Sequence, residues 1–333
     1  MAYTTIDDPT IYFNTKLYTG NGTAIGSGGN AITGVGFQPD WVWIKSRTQA
    51  EEHEAFDAVR GVTKYIRPST NAAEVTDSES LTTFGTDGFT LGNHGQVNAN
   101  SQSFVSWNWK ETATAGFDIV SYTGTGSAKT VSHNLSVKPD VIICKSRSGA
   151  EEWRLYFSVL GATKAMRLNG TNAEDTDSGY WNNTEPTSSV FTVGTNAGTN
   201  GNGVTFIAYC LTEKKGYSKF GSYTGNGNAD GTFVYTGFKP AWLMIKQSSG
   251  AGNDWLMYDN KRDTSNVAST ILTANASATE ATGQSYNYID LLSNGFKLRG
   301  SDARNNGSGG TMIYMAFAES PFVNSNGVPN NGR

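Results

Sequence analysis

The 333-residue sequence holds only two cysteines and three histidines, and charged residues make up just 16% of it. Two cysteines, Cys144 and Cys210, cannot build a disulfide framework. Both lie in apolar runs, "VIICKS" and "FIAYCLTE", where a free thiol packs as a small hydrophobe, a usage compatible with a reducing compartment. A formal net charge of −4 offers no basic face for displacing counterions, so no nucleic-acid partner is expected. No apolar run reaches the length that spans a bilayer, so no membrane partner is expected either. The start "MAYTTIDDPT" lacks the positive-then-apolar order of a secretory signal.

Glycine, by contrast, is abundant, with 39 residues, and aromatics reach 12%. That profile fits an all-β chain with many turns. The phrase "FQPDWVWIKSR" at 37–47 returns as "VKPDVIICKSR" at 137–147 and "FKPAWLMIKQS" at 238–248. Its prolines, Pro39, Pro139 and Pro240, are therefore 100 and then 101 residues apart. Other landmarks keep that register. "LYTGNGT", "SYTGTGS" and "SYTGNGN" begin at 17, 121 and 222, and "FDAVRG", "YFSVLG" and "YDNKRD" begin at 56, 156 and 258.

The repeat divides the chain into an N-terminal arm (1–15), modules at 16–110, 119–219 and 220–322, and a C-terminal tail (323–333). In "PDWVWIK", Trp41, Trp43 and Lys45 point one way and Val42 and Ile44 the other. The later copies are apolar on both faces, which places this strand under a covering layer. Lys45, Lys145 and Lys246 are expected to lay their stems on apolar surface and reach water at the strand end. Units of about 100 residues with Gly/Asn/Ser turns predict three tandem β-sandwich modules, jelly-roll or lectin-like, packed as a rigid unit through short linkers. The arm and the tail are expected to be docked.

Repetition also serves as a control on chemistry, because a feature recurring at the module offset belongs to the architecture. Glu51 and Glu52 recur as Glu151 and Glu152, and read as a solvated loop rather than the facing acids of a glycosidase. Glu74 with Asp77, and Glu174 with Asp177, are likewise duplicated and match no calcium loop. His53 stands where the other copies have Trp153 and Trp255, a position of bulk and partial burial rather than proton transfer. His94 and His133 read as turn residues, and "GTGSAKT" at 124–130 is the repeated turn without phosphate-loop spacing. Trp41, Trp43, Trp107, Trp109, Trp153, Trp181, Trp242 and Trp255 read as core before sugar platform. No catalytic, cofactor-binding or metal-binding residue is expected.

Taken in order, "YTGNG", "PDWVWIKSR", "FDAVRGVTK", "NAAE", "FGTDGFTLG" and "FVSWNWK" resemble a module of structural proteins of marine tailed bacteriophages. The opening "MAYTTIDDP" and the closing "MAFAESPFVNSNGVPNNGR" are similar to the ends of such proteins. The resemblance implies a virion component on the particle exterior, tail-fibre-like, made in the host cytoplasm, and brings no catalytic residues with it. Val141 and Ala241 depart from the "PDW" pattern, so a ligand site built on those residues would survive only in the first module. The chain has neither heptads nor a rod, which favours a capsid decoration or cement protein. It would bridge subunits of the major capsid protein, with the arm or the tail adding a strand or wrapped segment to that partner, to another virion protein or to further copies of itself. The alternative is a tail-fibre receptor-binding protein that recognises host surface glycans; a depolymerase is a weaker third.

Overall fold

The computed structural model describes residues 2–283 and 287–331; Met1 of the arm and residues 332–333 of the tail lie outside them. Module 1 runs through β1 (Phe13–Thr19), β2 (Asn30–Thr33), β3 (Trp41–Ser46), β4 (Glu54–Asp57), β5 (Lys64–Tyr65) and β6 (Val75–Thr76). It closes with β7 (Leu81–Gly85), β8 (Gly88–Leu91), the one-turn helix α1 (Gly95–Asn98) and β9 (Ser103–Trp109). Module 2 repeats the order with β10 (Phe117–Thr123), β11 (Lys129–Ser132), β12 (Val141–Ser146), β13 (Arg154–Phe157), β14 (Lys164–Arg167) and β15 (Asp175–Thr176). There α2 (Ser178–Trp181), β16 (Val190–Val193), α3 (Ala197–Asn200) and β17 (Thr205–Leu211) follow. Module 3 comprises β18 (Ser218–Thr224), β19 (Phe233–Tyr235), β20 (Phe238–Gln247), β21 (Leu256–Asp259) and β22 (Leu272–Thr273). Its last elements are β23 (Ile289–Leu292), β24 (Gly295–Leu298), α4 (Ala303–Asn306) and β25 (Thr311–Pro321).

The protein is an all-β sandwich fold. Each module lays a main antiparallel sheet (β1-β9-β3-β4, β10-β17-β12-β13-β14-β15 or β18-β25-β20-β21-β22) against a smaller outer one. Strand alternation then assigns the two faces of each main sheet. Val42 and Ile44, Ile142 and Cys144, and Leu243 and Ile245 fill three separate sandwich cores. Trp41 and Trp43, Val141 and Ile143, and Trp242 and Met244 all enter one further core shared by the three modules. The doubly apolar strand is thus covered by its own module outside and by its two sister modules inside.

The sister modules form a closed ring. His53 of module 1 bonds the carbonyl of Thr273 in module 3 at 3.0 Å. Trp153 of module 2 bonds Arg67 O of module 1 at 2.9 Å, and Trp255 of module 3 bonds Arg167 O of module 2 at 2.8 Å. A head-to-tail contact that returns to its start after three steps is a cyclic arrangement of order three. The sequence reading of this position needs correction. All three rings are fully buried, and what His and Trp share there, beyond bulk, is a ring N–H. Trp43 Nε1 donates to His53 Nδ1 at 2.8 Å, so the His53 proton sits on Nε2 and points at Thr273. Burial first, and the Lys45 charge second, push the His53 pKa well below its ordinary value and keep the ring neutral.

Two further expectations are revised. Lys45, Lys145 and Lys246 do not reach water; each is fully buried, with its ammonium on backbone carbonyls such as Ser46 O, Ser146 O and Gln247 O. Burial pushes each pKa down to about 8. The Asp of the "PD" pair is a linker cap. Asp40 accepts from Glu111 N at 2.7 Å after module 1, and Asp140 accepts from Glu213 N at 2.8 Å after module 2. In module 3 this position is Ala241, which has no carboxylate to serve as such a cap.

The arm and tail dock inside the chain, against module 3 and its linker. Thr4 Oγ1 donates to Lys215 O at 2.7 Å, Ile6 enters the shared core, and Phe13 stacks on Phe317 at 5.2 Å. In the tail, Ser325 N donates to Asp7 Oδ1 at 2.6 Å and Asn330 N to Phe322 O at 3.0 Å. These contacts spend the segments that the sequence reading assigned to a partner. Of the nine large apolar side chains left exposed among the described residues, two, Phe233 and Tyr235, lie on β19, and seven (Ile11, Val59, Val62, Val137, Val159, Val267 and Val328) lie outside the strands, towards the end where β3, β12 and β20 begin. Loops reaching that end carry them because β4, β13 and β21 run back from Ile44, Cys144 and Ile245 to Trp41, Val141 and Trp242.

Candidate functional site

One polar feature is built the same way in every module. A fully buried asparagine, Asn98, Asn200 or Asn306, follows a glycine by six residues and donates to that glycine's carbonyl at 2.7 Å (Gly92), 2.5 Å (Gly194) and 2.8 Å (Gly300). Its Oδ1 accepts from the turn residue Asn21, Thr125 or Asn226. Tyr18, Tyr122 and Tyr223 pin the same turn, donating to Val97 O, Thr199 O and Asn305 O. The first Gly of "YTGNG" is required by close approach: a Cβ on Gly20 would stand 2.1 Å from Ala99 O. This explains "GTGSAKT" as architecture. The G-x5-N spacing recurs in all three copies of the sequence and is the signal by which this feature can be found.

Beside the short helix the modules diverge. Strand position 54 is Glu54 in module 1, Arg154 in module 2 and Leu256 in module 3, and the residue capping the helix is His94, Asn196 or Asp302. In module 1, His94 Nε2 lies 2.9 Å from Glu54 Oε1 and its Nδ1 lies 2.9 Å from Asp77 Oδ2. Tyr65 stacks on the imidazole at 5.4 Å, and Arg67 donates to Tyr65 Oη at 3.1 Å and to Gln96 Oε1 at 2.9 Å. In sequence "GNHGQ" marks His94 only as a turn residue, because partners 40 and 17 positions away in the chain leave no spacing signal. Among the described residues no serine, threonine or cysteine is bonded to the imidazole, so the cluster is a salt-bridge network rather than a triad.

Burial raises the Glu54 pKa, with His94 and Arg67 opposing. For His94, burial works against the cation, but the hydrogen bond it donates to Glu54 and the charges of Glu54 and Asp77 outweigh it, and its pKa is raised. A raised folded-state pKa contributes stability that is full below the unfolded value and is lost as pH rises through the folded one. That window opens near 6.5 for His94 and near 4.5 for Glu54. Wild type should therefore lose melting temperature relative to His94→Asn between pH 6 and pH 9, with asparagine borrowed from module 2. Parallel melting curves across that range would count against the assignment.

A domain-family model described as a domain of unknown function, DUF7483, matches residues 8–321. The chain belongs to that family. The match runs across all three modules, and comparison with curated proteins and with solved structures gives no match.

In this DUF7483 chain the remaining candidate residues are engaged structurally. Glu51 and Glu52 are half-buried, not solvated, and accept from Gln96 at 3.1 Å and Ser69 at 2.5 Å, because their loop folds back over residues 66–69 and α1. Glu151 is also half-buried, and Glu152 accepts from Asn169. Glu74 joins modules through Arg147 at 2.8 Å, Glu174 pairs with Lys164, and Asp177 caps α2 through Gly179 N at 2.7 Å. Among the described residues no cluster of three His, Cys, Asp or Glu side chains is arranged to hold a metal ion. All eight tryptophans are buried, so none offers a sugar platform. His133 is buried on Thr187 O at 3.2 Å. Cys144 and Cys210 are buried and unbridged, and burial pushes the Cys144 pKa up to about 12.

Proposed function

We propose that the chain is a non-enzymatic structural protein on the exterior of a tailed-phage particle, a capsid decoration that bridges subunits of the major capsid protein. The observation that carries this reading is the gathering of exposed apolar side chains at one end of a closed block. A three-module ring has three near-equivalent flanks, which suits a point where three identical neighbours meet. One chain then contacts several subunits at once and resists their separation through buried interface area. The apolar end, rather than a free arm, is the attachment face in this reading, since Phe13 and Ile6 belong to the shared core.

Val59 and Val159 occupy corresponding loops on that end and are 42% and 44% exposed. Changing both to Asp should leave the melting temperature within about 1 °C, as surface changes do, and should cut occupancy on particles at least tenfold. Full occupancy by the double variant would remove the reading. The receptor-binding alternative retains Phe233 and Tyr235 as exposed aromatics. It predicts few copies at the tail tip and competition by soluble protein for adsorption, whereas decoration predicts a copy number that tracks the capsid lattice.

A further inference from the structure

Module 2 contains a polar cavity of about 260 Å³ between β13, β14 and residues 172–175. Arg154 and Arg167 face each other across the two strands and line it. Arg154 is 8% exposed, yet none of its five N–H groups makes a hydrogen bond among the described residues; its guanidinium lies over the Tyr180 ring at 4.5 Å. The nearest carboxylates are Asp175, 3.9 Å from Arg154 Nη1, and Glu152, 3.7 Å from Arg167 Nη1, both beyond hydrogen-bond reach. The buried Nε atoms of both arginines are without partners.

Those acids are not free to close in, because other donors hold them. Tyr180 donates to Asp175 at 2.7 Å, Asn169 to Glu152, and Lys164 to Glu174. At the two other junctions the acid is also clamped from the next module, by Arg147 on Glu74 and by Arg47 on Glu280. The corresponding residue at the junction of modules 2 and 3 is Ser248, which reaches Glu174 only through its backbone carbonyl. The sister modules serve as controls. In module 1 the position of Arg154 is Glu54, so the network is completed from within, and in module 3 the pair is Leu256 and Thr273.

We propose that this cavity binds one small oxyanion, a carboxylate or a phosphate, free or carried on a sugar. Two planar forks without a hydrogen-bond acceptor give paired N–H donors matched to such a group, and the unmade bonds of the two buried Nε atoms are a cost that an oxyanion held through Nε and Nη removes. The volume lies below the roughly 300–1,000 Å³ of ordinary small-molecule sites, which limits the ligand to an ion or a single sugar. Because only module 2 has the arginine pair, the stoichiometry is one per chain and not three.

Titration calorimetry of the full chain with inorganic phosphate, glucuronate and glucose tests this. Phosphate or glucuronate should bind one per chain and glucose should not; a preference for glucuronate marks the sugar-borne source, and a preference for phosphate the free ion. Arg154→Leu and Arg167→Thr, both borrowed from module 3, should each weaken binding about tenfold or more. No heat from either anion at millimolar concentration, three sites per chain, or affinity unchanged in both folded variants would overturn the site.

Discussion

Asp57→Ala should destabilise the whole chain by about 3–5 kcal/mol, the range for breaking a buried ion pair by removing one partner. Asp57 is fully buried, its carboxylate takes the Arg60 guanidinium, and Tyr209 of module 2 donates to it at 2.7 Å. Alanine would leave Arg60 charged and enclosed, with Glu74 at 3.5 Å and carbonyls such as Ala55 O as its remaining partners. At another junction the same device joins Trp107 of module 1 to Asp259 and Arg262 of module 3. The remaining junction does without it: Phe157 and Leu160 stand in place of the pair, and Met315 stands in place of the donor. All three positions change together, since a polar donor facing phenylalanine would be buried unpaired. Urea denaturation should therefore find the triple variant Asp57→Phe, Arg60→Leu, Tyr209→Met restored to within about 1.5 kcal/mol of wild type, as volume-compatible apolar repacking allows. A triple variant no better than Asp57→Ala would show that the junctions are not interchangeable.

Trp109→Ala should cost a similar amount, about 3–5 kcal/mol, for a different reason. Its indole lies 4.4 Å from Trp41 in its own module and 5.7 Å from both Trp242 and Phe317 in module 3, with Phe13 at 5.1 Å. The cavity left would open in the core that all three modules share. Calorimetry should show one lowered transition rather than a shifted one beside two unshifted ones, because no module keeps its inner face covered alone. For the same reason a fragment of residues 119–219 should not fold: Val141, Ile143, Tyr209 and Leu211 would face water. A cooperative melt of that fragment would refute the shared core as the source of stability.

Much of the strand pattern was legible along the chain. The two apolar faces of "PDWVWIK" and its copies correctly demanded a layer on each side, and the repeated turns bounded the strands. Which layer lay on the inner side was not legible. Tandem sandwiches joined like beads and a closed ring of three present the same strands and linkers, and the difference is a rotation between copies that leaves no periodic mark. The buried lysines show the same limit. An apolar strand ending in Lys reads as one reaching solvent, whereas carbonyls of its own module and of the neighbouring one together enclose Lys145, through Ser146 O and Asn71 O, and Lys246, through Gln247 O and Thr171 O.

Differences between the copies were in plain view, but their meaning was not. Substituting Glu54 by Arg154, or His94 by Asn196, reads as ordinary surface drift until the fold brings both positions against one helix end. There the first module completes a network and the second leaves the Nε atoms of Arg154 and Arg167 buried without a hydrogen-bond partner. Sequence alone settled that this chain is a strand-rich unit made three times, because backbone pairing and side-chain alternation act over a few residues. Tertiary structure alone decided that the three share one interior and where their polar groups meet, because those contacts join positions, such as those 40 and 220 residues apart, that no local rule connects.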